Sequence, residues 1–394
     1  MTKLEQLIAE LCPNGVESKS IGEICDICRG RVMSKDYISE NKGEYPVYSS
    51  QTENNGELGR IATFDFDGEY LSWTTDGANA GTVFYRNGKF SVTNVCGLLK
   101  IKNDGLLTKY LYYTLNAEAP NHVNSGMGNP KLMSNVMAKT TIPIPPMPVQ
   151  EEIVRILDTF TELTAELTAE LTAELTARKK QYEYYMESLL DFNDTIDFVK
   201  LGELCSLITK GTTPKKYQSS GISFVKTEAF EGTRIVPEKL SYVDEETHLG
   251  FLKRSVLQEN DILITIAGAT IGKCAMVPKN ILPANTNQAL AIIRLKENIS
   301  HKYVLYILQS HYMKEYMHSN IKGSAQPNLN LQQLNNFYIP LPPLEEQKRI
   351  VAILDRFDTL CNDISEGLPA EIEGRRKQYE YYRDKLLTFR ELGT

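Results

Sequence analysis

Two stretches of the chain place an apolar residue at every fourth position. Leu163, Leu167, Leu171 and Leu175 form one series; Leu360, Ile364, Leu368 and Ile372 form the other. Residues four apart share a helix face, so each stretch predicts a helix with an apolar stripe, and the natural partner of each stripe is the other. Pro145-Pro146 and Pro342-Pro343 precede the two stretches, and Glu and Gln follow, as at a helix start. A continuous helix over 148–191 would span on the order of 65 Å. Gly367 and Pro369 predict a kink or break midway along the second, because proline lacks an amide donor and clashes with the preceding turn.

Elsewhere the pattern alternates in short runs. Asp261-Ile262-Leu263-Ile264-Thr265-Ile266 and Ala289-Leu290-Ala291-Ile292-Ile293-Arg294 read as strands. Val83-Phe84-Tyr85 and residues 96–101 take the same part earlier in the chain. Tyr110-Leu111-Tyr112-Tyr113 and Tyr303-Val304-Leu305-Tyr306 open short helices at comparable places. The expected fold class is α/β (mixed α+β): two globular modules separated by two long antiparallel helices, with a pseudo-two-fold internal repeat. The expected boundaries are 1–141, 142–197, 198–338 and 339–394, alternating module and helical spacer.

The repeat is explicit in the spacers. With an offset of 197 residues, 142–192 falls on 339–389 without a gap, and 25 of the 51 positions are identical. The identities include Gln150/Gln347, Asp158/Asp355 and the run Lys180-Gln181-Tyr182-Glu183-Tyr184-Tyr185 over Lys377-Gln378-Tyr379-Glu380-Tyr381-Tyr382. The modules match only in islands. Cys25 falls on Cys205, Gly77-Ala78 with Gly81 on Gly268-Ala269 with Gly272, and Thr93-Asn94 on Thr286-Asn287. Gly126, Pro130 and Leu132 fall on Gly323, Pro327 and Leu329. A duplicated frame with rebuilt variable parts suits two readers of different targets.

Composition narrows the class. The 394 residues are 42% hydrophobic and 24% charged, which excludes wholesale disorder. No run approaches the roughly 18 apolar residues of a membrane span, so no membrane is expected. Seven scattered cysteines fit reduced thiols in a cytoplasm. The net charge of −7 argues at first against nucleic acid, but 142–197 alone carries 4 basic and 12 acidic groups. The rest of the chain is near neutral, and a DNA-binding face stays open.

Catalytic motifs are missing. Gly268-Ala269-Thr270-Ile271-Gly272-Lys273 resembles a phosphate loop, but the first glycine is one residue too close and Cys274 replaces the Mg²⁺-binding hydroxyl. A tight glycine loop between strands is the better reading. Cys25 and Cys28 have CxxC spacing without a second pair, so no metal site is expected, and Cys25 and Cys205 read as buried packing positions. The Asp/Asn-Pro-Pro-aromatic motif of adenine methyltransferases is absent. Asp244, Glu245 and Glu246 read as a solvated turn.

Polar and basic loop residues remain as candidate DNA contacts. They are Arg29, Arg31, Lys35, Ser50, Gln51, Thr75 and Asn79 in the first module, with Ser49 and Thr74 beside them. In the second they are Lys210, Thr212, Lys215, Lys216, Asn287, Gln288, Gln326 and Asn328, with Thr213 and Asn285 beside them. Lys and Arg neutralise phosphates; Asn, Gln and Arg make the bidentate contacts that distinguish bases.

The blocks at 142–158 and 339–355, the Arg-Arg-Lys-Gln-Tyr-Glu-Tyr-Tyr run at 375–382 and three Thr-Ala-Glu-Leu copies (164–175) together resemble the specificity (S) subunit of type I restriction–modification systems. The resemblance implies two target-recognition domains, each reading half of a split, asymmetric site in double-stranded DNA. It implies helices that dock two methyltransferase (M) subunits, and restriction (R) subunits that join them. S-adenosylmethionine, ATP and Mg²⁺ are then expected on the partner subunits, with no catalytic residue, cofactor or metal on this chain. A structural coiled-coil adaptor without DNA function is the alternative, and a free-standing enzyme is disfavoured by the missing motifs. The Thr-Ala-Glu-Leu copies read as a ruler for the unread spacer, and the file Glu162, Glu166, Glu170 and Glu174 as a phosphate-repelling face.

Overall fold

The computed structural model describes residues 2–126, 128–192, 196–268, 270–320, 328–362 and 367–393. The chain forms two compact units: Met1–Ala169 with Glu373–Thr394, and Glu170–Ile372.

In the first unit, the strands Cys25–Arg29, Cys96–Ile101, Tyr70–Thr74 and Val83–Arg86 lie side by side in that order, all antiparallel. Alternation decides what each strand face buries. Leu71, Trp73 and Leu99 enter one core, where Tyr110 and Leu111 of the helix Thr108–Glu118 meet them. Tyr70, Cys96 and Leu98 enter a second core with Phe90 and Val92. The Trp73 ring lies over Gly97, the residue whose missing side chain makes room for it, and its Nε1 donates to Leu132 O at 2.9 Å. A second sheet (Glu57–Ile61, Lys42–Tyr48, Lys89–Val92, Phe66–Asp67) completes the module.

The second unit repeats the first sheet strand for strand. Cys205–Lys210, Leu290–Leu295, Ile262–Thr265 and Cys274–Met276 are neighbours in that order, again antiparallel, beside the helix His301–Gln309. Three further strands (Ser241–Val243, Ile222–Val225, Ala284–Thr286) form its companion sheet. The strands and short helices expected from the pattern are therefore present. Cys25 and Cys205 are buried, and burial pushes both thiols up to about 12.

Each module is fastened to its spacer by the same bonds. Gln150 is fully buried: Oε1 accepts from Leu107 N–H (2.9 Å), and Nε2 donates to Pro145 O (2.7 Å) and Gly105 O (2.9 Å). Gln347 accepts from Ser300 N–H (3.1 Å) and donates to Pro342 O (2.9 Å). Asp158 takes Lys109 Nζ (2.6 Å) and Tyr113 OH (2.7 Å), and Asp355 takes Lys302 Nζ (2.6 Å) and Tyr306 OH (2.7 Å). Tyr110 OH and Tyr303 OH donate to Pro143 O and Pro340 O. The identities at offset 197 thus mark a mount built twice.

The first spacer is one helix, Met147–Leu190, 44 residues long. The carbonyl of Pro146 accepts from Val149 N–H and Gln150 N–H at its start, as Pro343 does for Glu346 and Gln347. The second spacer is two helices, Leu344–Asn362 and Leu368–Leu387, and Gly367 lies in a bend between them. The break falls where Gly367 and Pro369 predicted it.

The two apolar stripes are buried unevenly. Leu171 is buried, Leu167 and Leu175 are half-buried, and Leu163 is 56% exposed. In the second series Leu368 is buried, Leu360 and Ile372 are half-buried, and Ile364 lies outside the described residues. A repeat of four drifts by about 40° per step on a helix of 3.6 residues per turn, so four leucines cannot all face one partner. Leu163 and Leu167 share a cleft with Tyr379 and Tyr382 of the second spacer, and aromatic residues add to the pairing. Within the first unit Phe160 meets Tyr382 (6.3 Å between centroids) and Thr161 Oγ1 bonds Tyr379 OH (2.9 Å), an antiparallel pairing. Within the second unit Tyr185 stacks on Phe357 (5.2 Å), with Tyr182 beside it (6.2 Å).

The chain ends meet inside the first unit. Val16 N–H donates to Arg390 O (2.8 Å) and Leu392 N–H to Val16 O (3.1 Å). The N-terminal helix Lys3–Leu11 is tied down by Lys3, whose Nζ reaches Glu152 (2.8 Å). Arg155 and then Lys3 hold the Glu152 carboxyl down at about 2.

Two outcomes follow. Gln150→Ala removes the partner of three backbone groups, one of them buried, and should lower the unfolding free energy by about 1–3 kcal/mol in a urea titration. The depressed Glu152 carboxyl supports folding fully above its ordinary value of 4.5, and that support fades as pH falls toward about 2. Glu152→Gln should therefore flatten that limb of an acid-unfolding curve.

Candidate nucleic-acid interface

Both modules close the loop end of their shared sheet with the same main-chain bonds. In the first, Gly81 N–H donates to Thr74 O, Thr75 N–H to Val95 O, Leu132 N–H to Thr75 O and Cys96 N–H to Thr93 O. In the second the corresponding bonds are Gly272 to Thr265, Ile266 to Ala289, Leu329 to Ile266 and Leu290 to Asn287. This confirms the pairing of Gly81 with Gly272 and Leu132 with Leu329. It corrects another pairing: Thr93 corresponds to Asn287, not Thr286, because a two-residue match was too short to fix the register. A bulge between Cys205 and Leu207 likewise makes Lys210, not Thr209, the counterpart of Arg29 in its own sheet.

Glycine makes the convergence of these loops possible. A Cβ on Gly30 would lie 1.8 Å from Val92 O, and one on Gly211 would lie 2.1 Å from Asn287 O. The segment leaving Cys25–Arg29 can therefore press against the one entering Cys96–Ile101, and the segment leaving Cys205–Lys210 against the one entering Leu290–Leu295. Gly268 and Gly272 adopt φ of +93° and +88° in the turn between Ile262–Thr265 and Cys274–Met276, the tight glycine loop expected there. Ala269 lies outside the described residues.

The candidates distribute unevenly. In the first module Arg29 is exposed at the end of its strand, with Nε on Ser134 Oγ (3.2 Å). Arg31 is exposed but paired with Asp65 (3.0 Å) and stacked near Tyr37; the Tyr37 and Asp65 bonds hold its guanidinium above the ordinary range. Asn79 is exposed and donates to Thr52 Oγ1 (3.1 Å), which joins it to the segment holding Ser50 and Gln51, both half-buried. Thr74 and Thr75 are buried. The Thr75 hydroxyl is spent on Val95 O (2.9 Å) and Asp76 (2.6 Å), so it closes the loop end rather than facing solvent. Lys35 and Gln51 line one open groove with Lys42 and Arg60. Those two cations carried no sequence motif, and only the antiparallel pairing of 42–48 with 57–61 brings them together.

In the second module Lys210 and Gln288 are exposed, and Asn287 is half-buried, its Oδ1 accepting from Ala289 N–H (3.1 Å). Thr212 N–H donates to Thr286 O (2.9 Å), and Asn328 bridges Ala267. These five belong to one loop end. Lys215 and Lys216 are exposed on the segment that follows. Gln326, Gly323 and Pro327 lie outside the described residues. Asn285 is not a surface residue: it is fully buried, with Oδ1 2.6 Å from His248 Nδ1 and Nδ2 on Leu252 O. Asp244 caps the helix Glu245–Leu249 by accepting from Thr247 N–H (2.7 Å), which holds its carboxyl below the ordinary range.

One buried cation escaped the sequence reading. Arg86 is 2% exposed and stacks on Tyr48 at 3.5 Å. The signal lay in period two: Val83 and Tyr85 belong to one face, so Phe84 and Arg86 belong to the other. Among the described residues no group of three or more His, Cys, Asp or Glu side chains could hold a metal, and no helix is long and apolar enough to cross a membrane.

A family model for the type I restriction modification DNA specificity domain matches residues 13–177 and again 193–374. A protein named as a type I specificity subunit in Mycoplasma pneumoniae is 33% identical over 376 residues, covering 94% of this chain and 97% of the relative. A type I restriction enzyme specificity subunit of Escherichia coli is 37% identical over 413 residues, covering 99% and 97%. A chain from a solved structure, described as addressing complex assembly and conformational transition of the type I R-M system, shares the fold with a TM-score of 0.65. It is 17% identical and covers 95% of this chain and 98% of its own.

Gly30→Ala and Gly211→Ala each drive a methyl group into a carbonyl. Each should loosen the loop end of its own module, read as faster proteolysis of 29–31 or 210–212, while the other module stays protected.

Proposed function

The chain belongs to the type I restriction–modification DNA specificity family, and on that premise we propose that it is the non-catalytic subunit that directs a methyltransferase to a bipartite, asymmetric DNA site. The recognition domains are 1–141 and 198–338; 142–197 and 339–394 are the spacers. Each domain reads one half-site. One observation supports this most: the same buried mount is built twice and carries loop ends that share main-chain bonds but almost no side chains.

In the first domain Arg29, Arg31, Lys35, Ser50, Gln51 and Asn79 meet the duplex. In the second the contacts come from Lys210, Thr212, Lys215, Lys216, Asn287, Gln288 and Asn328. Two methyltransferase subunits dock on the spacers, where Tyr184, Tyr185, Tyr381 and Tyr382 are exposed. S-adenosylmethionine binds those subunits, and ATP and Mg²⁺ act with the restriction subunits, all in the cytoplasm. Glu162, Glu166, Glu170 and Glu174 are exposed and repel phosphates, so DNA affinity depends on the bound partners.

The test is a gel shift with and without a methyltransferase subunit, followed by mapping of methylated adenines. A two-part motif, one half of which changes when 198–338 is exchanged for another module, supports the reading. Methylation by the purified chain alone would overturn it in favour of an enzyme. A partner-bound chain that shifts no DNA would leave only the adaptor.

A second outcome tests the ruler. One Thr-Ala-Glu-Leu copy lengthens a helix by about 6 Å and turns it roughly 40° past a full turn. A base pair advances about 3.4 Å. Deleting 168–171 should change the unread spacer and leave both half-sites intact, as seen in the methylated motif; an unchanged spacer would rule the ruler out.

A further inference from the structure

Arg86 ends the strand Val83–Arg86, with its side chain enclosed in the first module. The guanidinium carbon lies 3.5 Å from the centroid of Tyr48 and 4.5 Å from that of Phe84. Nε donates to Ser72 Oγ at 2.9 Å. Nη1 and Nη2 have no hydrogen-bond partner, and no carboxylate pairs with them among the described residues. A guanidinium carries five N–H donors in a rigid fork, so four of them are buried and unused. That is costly unless another state of the protein satisfies them.

The second module answers the same position with Val277. Its own buried charge, Asp261, is saturated: Arg294 donates twice (2.8 and 2.7 Å) and Gln258 N–H once (2.8 Å). The unfilled fork therefore belongs to the first module alone and is not a requirement of the shared frame.

The free donors face the segment 49–56. A side chain at Gly56 would come within 3.1 Å of Nη2. Ser49 N–H to Gly56 O closes that segment (2.9 Å), and Asn54, Asn55 and Gly56 hold three successive left-handed conformations, φ +48°, +53° and +77°. Such backbone is strained at asparagine and lowers the cost of rearrangement. The same segment contains Ser50 and Gln51, and its Thr52 receives Asn79.

We propose that Arg86 is a direct DNA contact of the first half-site: DNA binding shifts 49–56, and the exposed fork takes two adjacent acceptors of the duplex. The acceptors are O6 and N7 of a guanine or two oxygens of one phosphate. Tyr48, Phe84 and Ser72 fix the plane of the fork beforehand, as planar bidentate recognition demands. The inference rests on the specificity-subunit reading and adds a residue to it.

The experiment uses the full chain assembled with its methyltransferase subunits. Arg86→Lys and Arg86→Met are compared with the parent for affinity, salt dependence and methylated motif, and unfolding midpoints are measured alongside. A guanine contact predicts roughly 10- to 100-fold weaker binding and a relaxed base at one position of the first half-site. A phosphate contact predicts a uniform loss and a salt slope reduced by about one. In the unaltered complex, amide exchange over 49–57 should change when DNA is added, a readout that survives if the variants fail to fold. Stably folded variants with parental affinity and motif, or exchange over 49–57 indifferent to DNA, would overturn the proposal. Absence of any two-part motif in the parent would instead overturn the specificity-subunit reading.

Discussion

A glutamine amide buried in the first turn of each spacer helix joins that helix to the module before it. Gln150 and Gln347 bond main-chain groups that no other side chain satisfies, and buried amides left unpaired are expensive. Eight residues on, Asp158 and Asp355 grip a lysine and a tyrosine spaced four apart on the module helix. One such bond would leave the helix free to swivel about it. Two, separated by about 12 Å of helix, fix its rotation as well as its position. The direction in which a module presents its loops is then set by the spacer it is bolted to.

That constraint explains why the pairing inside each unit can rely on aromatics. The rotation fixed by the glutamine and aspartate carries Phe160 toward Tyr382 in one unit and Phe357 toward Tyr185 in the other. Large rings reach across the drift of a four-residue repeat, so the pairing does not need every leucine of the stripe buried. None of the residues of the mount lies within 164–175, so the Thr-Ala-Glu-Leu copies stand outside it.

The spacers and the duplicated frame were legible in the sequence because their constraints are local or repeated. Proline pairs start helices, Gly367 and Pro369 stop one, and identities at a fixed offset mark a mount used twice. The loop ends were legible only as composition. Thr75 and Asn285 look like surface readers and are buried; Lys42 and Arg60 look unremarkable and share a groove with Lys35. Those differences arise from contacts between segments dozens of residues apart, which no window of sequence contains. The register of Thr93 against Asn287 failed for the same reason: it is written in backbone bonds, not in side chains.

The four bonds that close each loop end run from main chain to main chain, so they ask nothing of the side chains except small size at Gly30 and Gly211 and a left-handed turn at Gly81 and Gly272. A frame closed that way can hold almost any set of polar side chains at its rim. Divergence between the two modules is then a freedom the frame provides, and it stops abruptly at the residues that meet the spacer. Arg86 and Asp261 mark how far that freedom reaches inward: the two modules even bury opposite charges behind the same sheet, Asp261 with both carboxylate oxygens bonded and Arg86 with four of its five donors unspent.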